Sequence, residues 1–425
     1  METKEKLSAG FGLEDIADWT GYRMPGHSAR ELPATEVLDR LAVRAAVFQR
    51  NGSTVVLILA DVIAFDEDLE RRMVTAVAKA TGVPGENVLV AATHTHTGPP
   101  VFTLGDAHAL ESARDDLVTA GTNAAAQALQ IARPVECVEV RQVENPFAIN
   151  RRLFRSGGVV MEPNPDGPVE KTVTLLTFLA HRPSDSAANP VVLGHICTLP
   201  MHPTVLAPAV STLSGDVAGA LSSVLEDTDT IGGTCLMMQG ASGDVRPLIT
   251  DAEGRFAGGT AHDLSRIAGS LARSLARSGA IYRVRPDMLG YRRHEVKFDF
   301  AAGPAGLAGP APPAEQAGPA APATNQGTLK RFVAVLTFDN QLALAFLPGE
   351  PFAELALQVR RHSPYPCTVV AAHTGATVGY VPTADDFDAG GYEVAEAYGF
   401  YGYHAALARD AGQRLVDSVL SLLRR

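Results

Sequence analysis

The run at 53–65, STVVLILADVIAF, is built almost wholly from Val, Ile, Leu and Ala and is too short to cross a bilayer, so it reads as a buried strand. Helical spacing follows over 66–81 and is stopped by Gly82, Pro84 and Gly85; 87–92 (NVLVAA) is a second buried strand. Together these segments make a β-α-β unit. The alternation continues with strands at 135–143, 171–179, 191–197, 234–238, 332–338, 342–347 and 367–372. Helices at 111–131, 214–225, 263–278, 352–361 and 404–423 separate many of them. This pattern predicts an α/β fold with mixed β-sheets flanked by helices.

A chain of 425 residues allows two to three domains, and a hydrophobic share of 46% excludes disordered and fibrous classes. Its net charge of −11 disfavours nucleic acid or an anionic membrane as a partner. Cys137, Cys197, Cys235 and Cys367 lie far apart with no CxxC pair, which argues against a disulfide framework or a thiolate zinc site. Residues 1–13 have no apolar signal core and no integral membrane segment is expected, so the reading is a soluble cytoplasmic protein. In 301–326, 20 of the 26 residues are Ala, Gly or Pro, the composition of a flexible surface insertion.

Thr93-His94-Thr95-His96-Thr97-Gly98-Pro99 directly follows the second strand. In extended backbone, residues two apart face the same way, so His94 and His96 are expected to project together from a strand end, where α/β proteins place their sites. Imidazole is the commonest zinc ligand, although polar residues at a strand exit also serve as turn hydrogen-bonders. A catalytic zinc needs about three protein ligands and an open position. His202, in a proline-framed loop after the strand at 191–197, is the best partner, while His195 inside that strand reads as a core residue. Glu350, in Pro348-Gly349-Glu350-Pro351, is a candidate carboxylate ligand or a helix N-terminal acid. Asp216 and Asp244 in Gly turns are suited to capping helices or orienting imidazoles. The segment around Ser242 is not a nucleophile elbow, because Asp244 stands where a glycine is needed. Near the end, Tyr380, Phe387, Tyr392, Tyr398, Phe400, Tyr401 and Tyr403 form an aromatic cluster, mostly packing, whose hydroxyls could meet a metal or an oxyanion.

Taken in order, these motifs resemble the neutral ceramidase family, over the catalytic domain of those enzymes. The resemblance runs from Gly10-x-Gly12-x-x-Asp15-Ile16, Met24 and Gly26 through 44–48, Asp61, the His94–His96 segment and Ile149-Asn150-Arg151. It continues with His202-x-Thr204, Ser214-Gly215-Asp216, Gly243-Asp244-Val245-x-Pro247, Pro348-Gly349-Glu350, Gly379-Tyr380-Val381 with Thr383, and Tyr392-Glu393. The resemblance implies one zinc held by His94, His202, Glu350 and Tyr380, with His96, Arg151, Tyr392 and Tyr380 at the reaction centre. It further implies metal-activated water attacking an amide carbonyl. His96 would move protons, and Arg151, Tyr392 or Tyr380 would stabilise the oxyanion. Members usually carry an export signal and a C-terminal immunoglobulin-like domain; neither is expected here. Other departures are Pro203-Thr204-Val205 after His202, Arg152 after Arg151, and Arg246 in place of a serine. Arg152 and Arg246, if they face the cleft, would suit an anionic substrate better than a two-tailed lipid.

The expected function is therefore zinc-dependent cleavage of an amide, in ceramide or another N-acyl compound, by a single catalytic domain over 1–425 interrupted at 301–326. Two alternatives stand beside it: a zinc amidohydrolase of the (β/α) barrel type, and a non-catalytic ligand-binding homologue. Whether the chain forms a homo-oligomer is left open.

Overall fold

The computed structural model describes residues 6–27, 30, 32–104, 108–180, 190–301 and 327–425. The proposed insertion at 301–326 lies outside the described residues except for Ala301. Three main sheets carry the architecture, and none closes into a barrel, so the barrel alternative is set aside. One runs Val88–Ala92, Ser53–Ala60, Ala42–Arg50, Ser8–Asp15, Arg133–Pro134. A second runs Cys235–Gln239, Val191–Leu199, Thr172–Ala180, Cys137–Glu144, Tyr282–Val284. The third runs Leu289–Phe298, Leu329–Phe338, Leu342–Phe346, Cys367–Ala371.

Strand alternation explains how these sheets share one core. Val55, Leu57 and Leu59 of the first sheet meet Leu176, Phe178 and Ile196 of the second and Leu336, Leu344 and Phe346 of the third. The intervening residues turn outward to helices. Val56, Ile58 and Ala60 pack under Glu67–Thr81 and Glu111–Gln130. Leu175 and Cys197 pack under Asp216–Glu226 and Ala261–Arg277. Ala343 and Ala345 pack under Ala353–His362 and Ala411–Leu423. Strands buried on both faces must read as unbroken apolar runs, which is why 53–60 was legible at once. The opening Gly-x-Gly is a packing device, since a Cβ on Gly12 would lie 2.1 Å from the Ala124 carbonyl oxygen on the crossing helix.

Each sheet contains one parallel pair: Ser53–Ala60 with Val88–Ala92, Val191–Leu199 with Cys235–Gln239, and Leu342–Phe346 with Cys367–Ala371. The loops leaving these pairs carry the candidate chemistry. A buried guanidinium ties two of the sheets together: Arg44 donates to Asp61 at 3.0 Å and to Glu226 at 2.7 Å. The expected final helix starts later than 404, at Ala411, because Leu407 instead bridges to Phe300 in extended backbone. All four cysteines are unpaired, and among the described residues no helix is long and apolar enough to cross a membrane.

His195 is a core residue, as read. Its Nε2–H donates to the Gly232 carbonyl at 2.7 Å and its Nδ1 meets Thr177 Oγ1 at 3.0 Å. Burial holds its pKa down at about 4. The native imidazole therefore stays neutral while the unfolded one takes a proton near 6.5. The resulting stability is fully present above pH 6.5 and is lost as pH falls through about 4. Urea unfolding at pH 7 and pH 5 should show His195 costing the wild type about 2 kcal/mol over that interval. His195→Gln, which keeps a donor for Gly232, should lose correspondingly less.

Candidate metal centre

His94 does not project from extended backbone as expected. Its φ is +64°, a left-handed conformation that is strained for a residue with a Cβ, and its N–H donates to the Val62 carbonyl. This turn, and not strand alternation, brings His94 and His96 together, with their Nε2 atoms 3.3 Å apart. His202 joins them, its Nε2 lying 3.1 Å from that of His94. The loop that carries it is pinned by its own N–H to the Val245 carbonyl and by the Asp216 carboxylate, which accepts from Val205 and Leu206 at 3.0 Å each. Glu350 arrives from the third sheet. It sits opposite Tyr380 in a two-residue parallel ladder, and its Oε2 is 3.2 Å from His94 Nε2 and 3.6 Å from His202 Nε2.

The hydrogen bonds decide the tautomers. His94 Nδ1 meets the Ile63 carbonyl at 2.8 Å, His96 Nδ1 meets that of Gly26 at 2.8 Å, and His202 Nδ1 meets that of Ser242 at 3.0 Å. A carbonyl only accepts, so each Nδ1 carries the hydrogen and each neutral ring keeps a bare lone pair at Nε2. Burial pushes the pKa of His96 and His202 well below 6.5, and the charge on Arg151 acts further on His202. Three nitrogen lone pairs and a carboxylate oxygen with no hydrogen-bond donor thus face one another in a buried space. Such a set of acceptors repels itself unless a cation lies among them. Burial alone would raise Glu350, yet the neighbouring His94 imidazole and the Tyr401 hydroxyl hold it down at about 2. His94, His96 and His202 form one group that could hold a metal ion, and His94, Glu350 and His373 form another.

Around this group stand the remaining candidates. Arg151 donates from NH2 to the Tyr380 hydroxyl at 3.1 Å and from Nε to Glu393 at 2.7 Å. Burial and the charge of Glu350 push the Tyr380 phenol well above 10, so it stays protonated in the absence of a cation. Tyr392 stacks edge-on against Tyr380, with ring centroids 5.9 Å apart, and burial raises its phenol too. His94, His96, Glu350, Tyr380 and Tyr392 all line a cavity of about 170 Å³, walled further by Leu104, Phe400 and Tyr401. Gly26 fits tightly there: a Cβ at its φ of +117° would lie 2.8 Å from His96 Nδ1.

Some expectations change. Arg152 does not offer its charge to the cleft: a bulge turns it beside Arg151, and Glu393, Asp386 and the Gly390 carbonyl neutralise it. Asp244 orients no imidazole directly; it accepts from Ala353 at 2.7 Å, capping a helix, and from Asn150 at 2.8 Å. Ser242 is buried, and its hydroxyl takes a bond from Gln239, so it is no exposed nucleophile. His373 escaped the sequence reading, and Tyr401 and Glu393 were named there without the roles they take. His373 stacks on His94 with centroids 4.0 Å apart, has a φ of +54°, and its Nε2 has no partner. Tyr401 donates to Glu350, and Glu393 holds both arginines. His373 had a signal, since it leaves the strand Cys367–Ala371 as His94 leaves Val88–Ala92.

No family model matches this chain, and neither does any curated protein. Among solved structures, neutral ceramidase from Pseudomonas aeruginosa superposes with a TM-score of 0.74 over 100% of this chain and 75% of its own, at 18% identity. A ceramidase complexed with C2 gives 0.73 over 99% and 76%, at 19% identity. The chain therefore has the neutral ceramidase fold, as the sequence resemblance implied.

Because Tyr401 orients the carboxylate, Tyr401→Phe should weaken divalent-cation affinity by about 10- to 100-fold. Competition against a chromogenic chelator measures this, and unchanged affinity would remove Tyr401 from that role.

Proposed function

We propose that this protein is a zinc-dependent hydrolase cleaving the amide bond of an N-acyl compound, either ceramide or a smaller one, with 1–425 acting as one catalytic unit. The observation that carries this reading is the buried convergence of three unprotonated Nε2 atoms on the Glu350 carboxylate. The fold shared with ceramidases supports an amide as the bond attacked. His94, His202, Glu350 and Tyr380 would hold the ion, a nitrogen and oxygen set that suits zinc. When bound, zinc supplies Lewis acidity that acidifies water toward a pKa of ~7 and polarises a carbonyl.

The protein's own groups do the rest. His96 is held by the Gly26 carbonyl with its Nε2 lone pair bare, so it takes a proton from the attacking water at Nε2 and passes it to the departing amine. Arg151 cannot swing away, because Glu393 and the Tyr380 hydroxyl fix its guanidinium beside the cavity. Together with the Tyr392 hydroxyl, which has no hydrogen-bond partner among the described residues, it offers donors to the developing oxyanion. Each such donor contributes ~3 kcal/mol. Leu104, Phe400 and Tyr401 give the space its apolar and aromatic walls.

Elemental analysis should find one zinc per chain, and release of amine from N-acyl amides should require it. His94→Ala and His202→Ala should lose both metal and activity. Arg151→Met should retain the metal while kcat falls by about 100-fold. Metal-free protein with full amidase activity would sink the proposal.

A further inference from the structure

Arg246 lies on the strand Val245–Pro247, opposite Ile149 of the strand Ala148–Arg155, with Val245 opposite Asn150. Opposed residues share a face of a ladder, so Arg246 stands diagonal to Arg151. The two cations have different partners. Arg151 is neutralised by Glu393. Arg246 lies over the Phe256 ring at 4.7 Å and reaches Met161 Sδ at 3.8 Å, both uncharged, and makes no ion pair among the described residues. Burial and the charge of Arg151 hold it down at about 10, the mark of a cation lacking its counterion.

Arg30 is in the same condition. It is 2% exposed, its Nε and Nη1 donate to the carbonyls of Pro208 and His96, and its Nη2 has no partner among the described residues. Both arginines act on His27, whose ring lies 4.9 Å from that of His96 and lines the cavity. Arg246 also acts on Tyr380 at the opposite wall. Two guanidiniums therefore stand behind the cavity wall, Arg30 on the His96 carbonyl and Arg246 on the ladder face of Arg151, with no carboxylate among the described residues to balance them, and an unpaired cation out of solvent is costly.

We infer that the rim of the cavity between His27 and Arg246 binds an anionic group of the substrate, so that the preferred N-acyl compound carries a carboxylate close to its scissile amide. This rests on the amide hydrolase reading above. The planar guanidinium fork matches a carboxylate with two parallel bonds. A neutral two-tailed lipid would leave both arginines unpaired, whereas an N-acyl amino acid supplies the missing charge.

The test compares N-hexanoylglycine with its neutral isostere N-hexanoylglycinamide, by calorimetric binding and by amine release, in the full chain. Wild type should favour the acid by about tenfold or more in both Kd and KM. In Arg246→Met that ratio should fall to near one, and Arg246→Lys should restore part of it. Equal affinity for acid and amide in the wild type, or a ratio unchanged in Arg246→Met, overturns the anion site. Acid-selective binding with no amine released from either compound leaves the anion site standing and removes the hydrolase reading.

Discussion

Three imidazoles in this protein give their Nδ1 hydrogens to backbone carbonyls, of Ile63, Gly26 and Ser242, and so turn bare nitrogens toward one point. A buried carboxylate, Glu350, faces the same point. A cation among these four acceptors would offset their mutual repulsion, and much of the surrounding structure holds them in place against it. The left-handed turns at His94 and His373, the Asp216 clasp on the His202 loop and the Glu350–Tyr380 ladder belong to this restraint. Strain of this kind persists only where neighbours over-determine the geometry.

That over-determination comes from the way three sheets meet. Each turns one face to a common apolar core and the other to its own helices, and each carries one parallel pair whose loops lead toward the candidate site. The candidate ligands come from different sheets: His94 and His96 follow the first, His202 the second, Glu350 and His373 the third. Coupling across sheets is also ionic, with Arg44 of the first sheet reaching Glu226 on a helix of the second. Displacing one sheet would therefore move one ligand set relative to the others.

Charge divides the arginines of the cleft into two kinds. Arg151 and Arg152 share Glu393, and this buried cluster fixes the donor that faces Tyr380. Among the described residues, Arg246 and Arg30 have no such partner. A substrate that brings its own negative charge would complete what the protein leaves open, and selectivity would then lie at the rim, apart from the reacting atoms.

Much was readable from the chain. Buried strands such as Ser53–Ala60, Thr172–Ala180 and Cys367–Ala371 were legible because burial on both faces requires continuous Val, Ile and Leu. His94, His96, His202 and Glu350 could be singled out because they stand at strand exits or in Pro and Gly turns, where polar side chains have no packing reason to be, whereas Tyr380 stood out from its aromatic neighbours only through the family resemblance. Periodicity did not reveal Ala148–Arg155, whose Asn150, Arg151 and Arg152 are polar yet buried, because their partners Asp244 and Glu393 lie 94 and more than 240 residues away. Nor could it assign Arg152, which one added carboxylate turns from a substrate ligand into a structural ion. Residue types and local backbone preferences are properties of the sequence itself, and these determined the fold class and most candidate side chains. Which nitrogen is bare, which cation is paired and which tyrosine meets Glu350 depend on atoms brought within about 3 Å from distant segments, and only the tertiary structure decides that.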